Sequence, residues 1–185
     1  MEDGMEKYTA HVQKLVEMGV EAVYLWGVQT DRLVADGRMD LIGQAVDIIK
    51  SHGVAAGVGA HDLKVVQECE EKDVKADFYI KTFHHHDYPN GPKPDDLTQP
   101  MRELPGYWCR DPQGAIEFMK TVDKPWIAFK VMAAGAIAPE EAFQYAFDNG
   151  ADHILAGMFD FEIAEDAKIL RDLYPKIQRT RAWMS

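Results

Sequence analysis

The sequence predicts an α/β fold built on a parallel sheet, and three observations carry that prediction. Short, near-continuous apolar runs alternate with segments of helical periodicity, the pattern of strands buried on both faces by helices. A glycine closes a helix just before a buried run in both Met18-Gly19-Val20-Glu21-Ala22-Val23 and Asn149-Gly150-Ala151-Asp152-His153-Ile154. Proline stands at a helix start in Asp111-Pro112 and in Ala138-Pro139-Glu140-Glu141, where its missing N–H has no intrahelical partner to lose.

Five runs read as strands: Ala22 to Trp26, Val54 to Gly59, Asp77 to Phe83, Trp126 to Met132 and His153 to Gly157. The first helix covers Glu6 to Met18 and gathers Tyr8, Val12, Leu15 and Val16 on one face. The next, Asp40 to Ser51, gathers Leu41, Ala45, Ile48 and Ile49. Asp62 reads as the N-cap of a helix through Glu71. Two further helices open at Pro112 and Pro139, and a last one runs from Phe161 to Tyr174, stopped by Pro175.

A doubly wound sheet and a (β/α) barrel both satisfy this order. No Gly-x-Gly-x-x-Gly fingerprint opens a helix, and the strand contents favour the barrel. In the second run Val54, Ala56 and Val58 alternate with Ala55, Gly57, Gly59 and His61; in the fourth, Ile127, Phe129 and Val131 alternate with Ala128, Lys130 and Met132. The bulky set suits a helix layer and the small or polar set a crowded lumen. A barrel needs eight units and about 250 residues. The five units of this 185-residue chain are therefore expected to be units four to eight of a barrel, one partial domain over 1–185. Such a piece would be completed by three missing N-terminal units or by self-association with a second copy. Residues 84–110 form a long insertion after the third strand, carrying Pro89, Pro92, Pro94, Pro100 and Pro105, and are expected to wall the barrel mouth.

Charge and composition exclude several classes. Asp and Glu number 31 against 20 Lys and Arg, and no helix carries a basic stripe, which argues against nucleic acid. No apolar run approaches the roughly 18 residues of a membrane span. The N-terminal Met1-Glu2-Asp3-Gly4-Met5-Glu6 lacks signal-peptide character, and a cytoplasmic location is expected. Cys69 and Cys109 make no disulfide framework and read as packing residues.

The chemistry points first to two lysines inside apolar runs, Lys81 and Lys130. A desolvated lysine, or one beside a second cation, becomes the neutral amine that attacks a carbonyl. On the third strand Tyr79, Lys81, Phe83 and His85 share one face, and Phe78, Ile80 and Thr82 the other. If Phe78 and Ile80 meet helices, Lys81 enters the lumen, and Lys130 does so on the next strand. The alternative is that each lysine pairs with a lumen carboxylate such as Asp160.

At these residues the chain resembles the deoxyribose-phosphate aldolases. Ala76-Asp77-Phe78-Tyr79-Ile80-Lys81-Thr82 is similar to their strand-six segment Ala-Asp-Phe-Ile-Lys-Thr-Ser. Phe129-Lys130-Val131-Met132-Ala133-Ala134-Gly135-Ala136-Ile137 resembles their strand-seven Lys-x-Ala/Ser-Gly-Gly-Ile, and Pro139-Glu140-Glu141-Ala142 echoes the helix that follows. The resemblance implies a class I aldolase barrel in which Lys81 forms the Schiff base and Lys130 lowers its pKa.

The expected function is thus a lyase acting on a small, sugar-like carbonyl compound without a cofactor, with Lys81, Lys130 and His85 catalytic. His85 enters as the proton carrier because it shares the Lys81 face. His61, His84, His86 and Trp108 are expected to bind substrate at the mouth. Gly135 and Gly157 precede helix starts that hold anions in such folds. A rival reading places a divalent metal on His61, His85 and Asp160, for an isomerase or hydrolase. A third is a non-catalytic barrel fragment that binds a small ligand.

Overall fold

The computed structural model describes residues 2–98, 109–178, 181 and 183. It is an α/β protein whose five strands lie in one parallel sheet in the order β1-β2-β3-β4-β5, with no switch point. The chain divides into two compact units, Met1–Ile80 and Lys81–Ser185, with β3 (Phe78–Thr82) running across the division. Among the described residues no helix is long and apolar enough to cross a membrane.

In the first unit, α1 (Glu2–Glu17) stops two residues before Gly19, which takes a φ of +87° that other residues avoid. β1 (Ala22–Leu25) pairs in parallel with β2 (Ala55–Ala60), Ala22 opposite Ala55 and Leu25 opposite Val58. Between them lie α2 (Gly27–Ala35) and α3 (Met39–Ser51). The sequence reading had no helix at α2, because its polar Gln29-Thr30-Asp31-Arg32 breaks the apolar period. α3 buries Ile42, Ala45, Val46 and Ile49, a three-four spacing that seats one stripe on the sheet. On β2 every residue from Ala56 to Ala60 is buried, so burial does not separate the two expected sets, and Gly57 leaves room for the Phe78 ring. A Cβ built on Gly57 would lie 2.3 Å from Phe78 Cε2, so only glycine fits there. α4 (Leu63–Glu71) is capped by Asp62, whose carboxylate accepts from the Lys64 N–H at 3.0 Å, as predicted.

In the second unit, α5 (Pro112–Met119) starts at Asp111, which accepts from the Gly114 N–H at 2.8 Å. β4 (Trp126–Phe129) pairs in parallel with β5 (His153–Leu155), Ile127 opposite His153 and Phe129 opposite Leu155. α6 (Pro139–Asp148) buries Ala142, Phe143, Ala146 and Phe147 and packs on α7 (Ile163–Leu173).

One device occurs in both units. Asp77, at the entry of β3, gives its N–H to the Ala56 carbonyl at 2.7 Å, and its carboxylate accepts from the Ala56 N–H at 2.8 Å. Asp152, at the entry of β5, does the same with Trp126, at 3.0 and 2.7 Å. A short side chain thus completes the pairing of the preceding strand where the sheet begins. Lys50 holds Asp77 at 2.6 Å, and Arg181 grips Asp152 through Nε at 3.1 and 3.0 Å.

Two expectations about strand faces are corrected. β4 ends at Phe129, so Lys130 is not a strand residue and period-two alternation does not orient it. Within β4 the buried set is Trp126 and Ala128, with Ile127 and Phe129 half-buried, the reverse of the expected assignment. On β3, Tyr79 donates its hydroxyl to Glu70 of α4 at 2.6 Å, and Phe83 stacks on Tyr145 of α6 at 5.1 Å. Lys81, two residues from each, belongs to this helix-facing set. The cause is aromatic: Tyr79 and Phe83 bury large rings against helices, and Phe78 is held on the other side by the space over Gly57.

Candidate functional site

Lys81 is the penultimate residue of β3 and is 1% exposed. Its Nζ donates to the Thr82 carbonyl at 2.7 Å and lies 3.3 Å from Thr82 Oγ1. The amine therefore turns toward the carboxyl end of its strand, the end at which parallel α/β sheets place ligands. Among the described residues no carboxylate pairs with it, so the structural alternative of a lysine neutralised by an acid such as Asp160 is not the one observed.

The three histidines that follow differ sharply in their environments. His85 is committed at both nitrogens: Nδ1 accepts from the Asp87 N–H at 3.1 Å, and Nε2 faces Glu141 of α6 at 3.3 Å. His86 donates from Nε2 to the Cys109 carbonyl at 2.5 Å. His84 is fully buried; Nδ1 donates to the His85 carbonyl at 2.9 Å, and Nε2 has no partner. Burial, with smaller contributions from His86, Lys81 and His85, pulls the His84 imidazole down to about 4. It is thus a neutral ring whose unpaired nitrogen is a hydrogen-bond acceptor. The electrostatic coupling places Lys81, His84 and Cys109 in one neighbourhood. Burial pushes the Cys109 thiol up, opposed by Lys81 and the His84 backbone. Cys109 lies 28 positions from Lys81, inside the insertion, so no short-range pattern points to this neighbourhood.

Lys130 directly follows β4, whose last residue, Phe129, accepts from the Phe83 N–H at 2.8 Å. It opens a left-handed run in which Lys130, Ala133, Ala134 and Gly135 have φ of +57°, +46°, +60° and +86°. Three non-glycine residues in that region mark a constrained loop, the kind that collects at ligand sites. Lys130 Nζ lies 5.7 Å from the centre of the Phe129 ring. With Gly135 and Gly157 it lines a cleft of about 560 Å³ at the carboxyl ends of β4 and β5. Three expected site residues are therefore brought together here, but Lys81 is not among the lining residues.

His61 lies in the first unit and has a partner that sequence reading missed. Asp31 Oδ2 meets His61 Nδ1 at 2.7 Å, while Oδ1 accepts from the His61 and Asp62 N–H groups, each at 3.1 Å. Thr30 beside it donates to the Gly59 and Gly27 carbonyls. A buried carboxylate orienting an imidazole suits proton transfer. The only cue in the sequence is that Thr30-Asp31 follows the carboxyl end of a strand. Asp160 is exposed and accepts from the Phe161 N–H at 2.9 Å. Among the described residues no three His, Cys, Asp or Glu side chains converge as a metal site. Trp108 lies outside the described residues.

A scan against protein-family models finds no match to the chain, and a search of curated proteins finds no significant relative.

Proposed function

We propose that this protein is a lyase that makes or breaks a carbon–carbon bond beside a carbonyl through a Schiff base on Lys81, whose amine is reached from the carboxyl end of a parallel sheet and not from a barrel lumen, since Lys81 shares the helix-facing side of β3. One observation carries the reading: a lysine 1% exposed, at the carboxyl end of a parallel strand, with Thr82 and, among the described residues, no carboxylate as its partner. The strand order without reversal and the resemblance to deoxyribose-phosphate aldolases at Lys81 and Lys130 support it.

In this chemistry the Lys81 nitrogen, after giving up a proton, adds to a carbonyl carbon and water leaves, giving an iminium. A base removes the proton of the β-hydroxyl, the carbon–carbon bond breaks, and its electrons move into the iminium to give an enamine. Protonation of the enamine carbon and hydrolysis then return the free amine. His84 suits the base better than His85, whose two nitrogens are engaged; His84 Nε2 has its lone pair available.

Borohydride tests the reading with acetaldehyde, glycolaldehyde and pyruvate as carbonyl probes. Peptide mass spectrometry should find the reduced adduct on Lys81. Lys81→Arg should give none, and EDTA should have no effect. His84→Asn, whose amide can still donate to the His85 carbonyl, should keep the adduct and slow bond cleavage about 10²- to 10⁴-fold. Absence of an adduct with all three probes would refute the Schiff-base reading. Activity abolished by EDTA would favour the metal-dependent alternative, and ligand stabilisation without turnover the binding fragment.

A further inference from the structure

We infer that the cleft at the carboxyl ends of β4 and β5 is a binding site for a small primary amine carried on an apolar chain, with Asp166 and Glu162 as its anionic partners. The inference does not depend on Lys81, which does not line this cleft.

Asp166, on α7, is 5% exposed and lines the cleft, and among the described residues its carboxylate has neither a hydrogen bond nor an ion pair. Its carboxylate oxygens are not sealed from solvent, so a donor entering the cleft can reach them and give them a partner. Burial, then Glu162 and Glu165, push this carboxyl up. Glu162, one turn earlier, also lines the cleft; its Oε2 accepts from the Phe159 N–H at 3.0 Å. Most of the remaining wall is apolar, with Phe129, Met132 and Met158 prominent.

Charge decides the ligand class. The lining carries two carboxyl groups and one cation, Lys130, so an added phosphate or carboxylate would face an excess of like charge. The helix start at Pro139, which also lines the cleft, does not reverse that balance. An ammonium offers a countercharge and N–H donors to the carboxylate that has none, and charge-assisted bonds of this kind are the stronger class. An alkyl chain matches the phenyl and thioether walls.

The test uses protein labelled with ¹³C at the methionine methyls, titrated separately with n-butylammonium chloride, 1,2-butanediol and sodium phosphate. The Met132 and Met158 methyl signals should shift saturably with butylammonium and much less with the other two probes. Asp166→Asn should weaken butylammonium binding about 10-fold or more, and Glu162→Gln by a smaller factor. Should Asp166→Asn fail to fold, Glu162→Gln carries the test alone. The inference is overturned by no saturable shift, by diol or phosphate binding as tightly as the amine, or by wild-type affinity in the folded variants.

Discussion

The two strand-entry aspartates form a matched pair for testing how burial sets the strength of one hydrogen-bond device. Asp152 and Arg181 side chains are 0% and 10% exposed, whereas Asp77 and Lys50 are 38% and 39% exposed. Replacing Asp152 by alanine leaves the Trp126 N–H without an acceptor, which costs about 1–3 kcal/mol when buried. It also strands the Arg181 guanidinium, whose remaining partners are the Met119 and Lys124 carbonyls. Breaking a buried ion pair from one side costs about 3–5 kcal/mol, and this range already includes much of the desolvation of the group left behind. The expected loss for Asp152→Ala is therefore about 3–5 kcal/mol. Asp77→Ala removes the same backbone acceptor from Ala56, but Lys50 returns to water, and the expected loss is about 1–2 kcal/mol. Urea denaturation followed by circular dichroism measures both, with m-values compared to detect any change in the unfolding reaction. Equal losses at the two sites, or a loss under about 1 kcal/mol at Asp152, would refute the assignment of strength to burial.

Other expectations test different parts of the structure. Gly57→Ala should cost about 1–3 kcal/mol through the clash with the Phe78 ring, and Phe78→Leu in the same chain should recover part of it in urea denaturation. The His84 imidazole is held at about 4, below its ordinary 6.5, so the unfolded chain binds a proton that the folded one refuses between those values. Stability should fall as pH drops from 6.5 toward 4, by up to about 3 kcal/mol, and His84→Asn should flatten that slope; an unchanged slope would contradict the buried neutral ring. Burial raises Tyr8 and Tyr145 from 10 to about 12 and Tyr79 further. The unfolded chain loses these protons first, so stability should decline above pH 10, and absorbance at 295 nm should show these rings ionising late; ordinary titration of all seven tyrosines would contradict it.

What the sequence made legible was what short-range chemistry controls. The caps at Asp62 and Asp111, the prolines opening α5 and α6, and the closing glycines Gly19 and Gly150 act within a few residues, and all stand where the pattern put them. Each of the five strands stands where a run was read, four of them shorter at one or both ends and β2 shifted by one residue to Ala55–Ala60. The choice of face on β3 was not legible, because Phe78-Tyr79-Ile80 offers apolar groups to both sides. It is settled by Gly57, 21 positions away, and by Glu70 on another helix. Lys130 was misread for a related reason: Phe129-Lys130-Val131 keeps an alternating pattern after the backbone has turned left-handed. Gly135 and Gly157 do meet at one cleft with Lys130, whereas Asp31 and Asp166 gave no signal, since a lone acid on a helix reads as a solvated one.

The aspartate clamps sit where β3 and β5 begin, while Lys81 stands at the end of β3 and the Asp166 cleft at the ends of β4 and β5. Stability and the proposed chemistry thereby fall at opposite ends of these strands. A laboratory library that randomises the loops leaving β2, β3, β4 and β5 would leave the clamps intact, so loop diversity could be explored without drawing on the reserve that keeps the chain folded. The same library aimed at the incoming turns around Asp77 and Asp152 should return mostly insoluble clones.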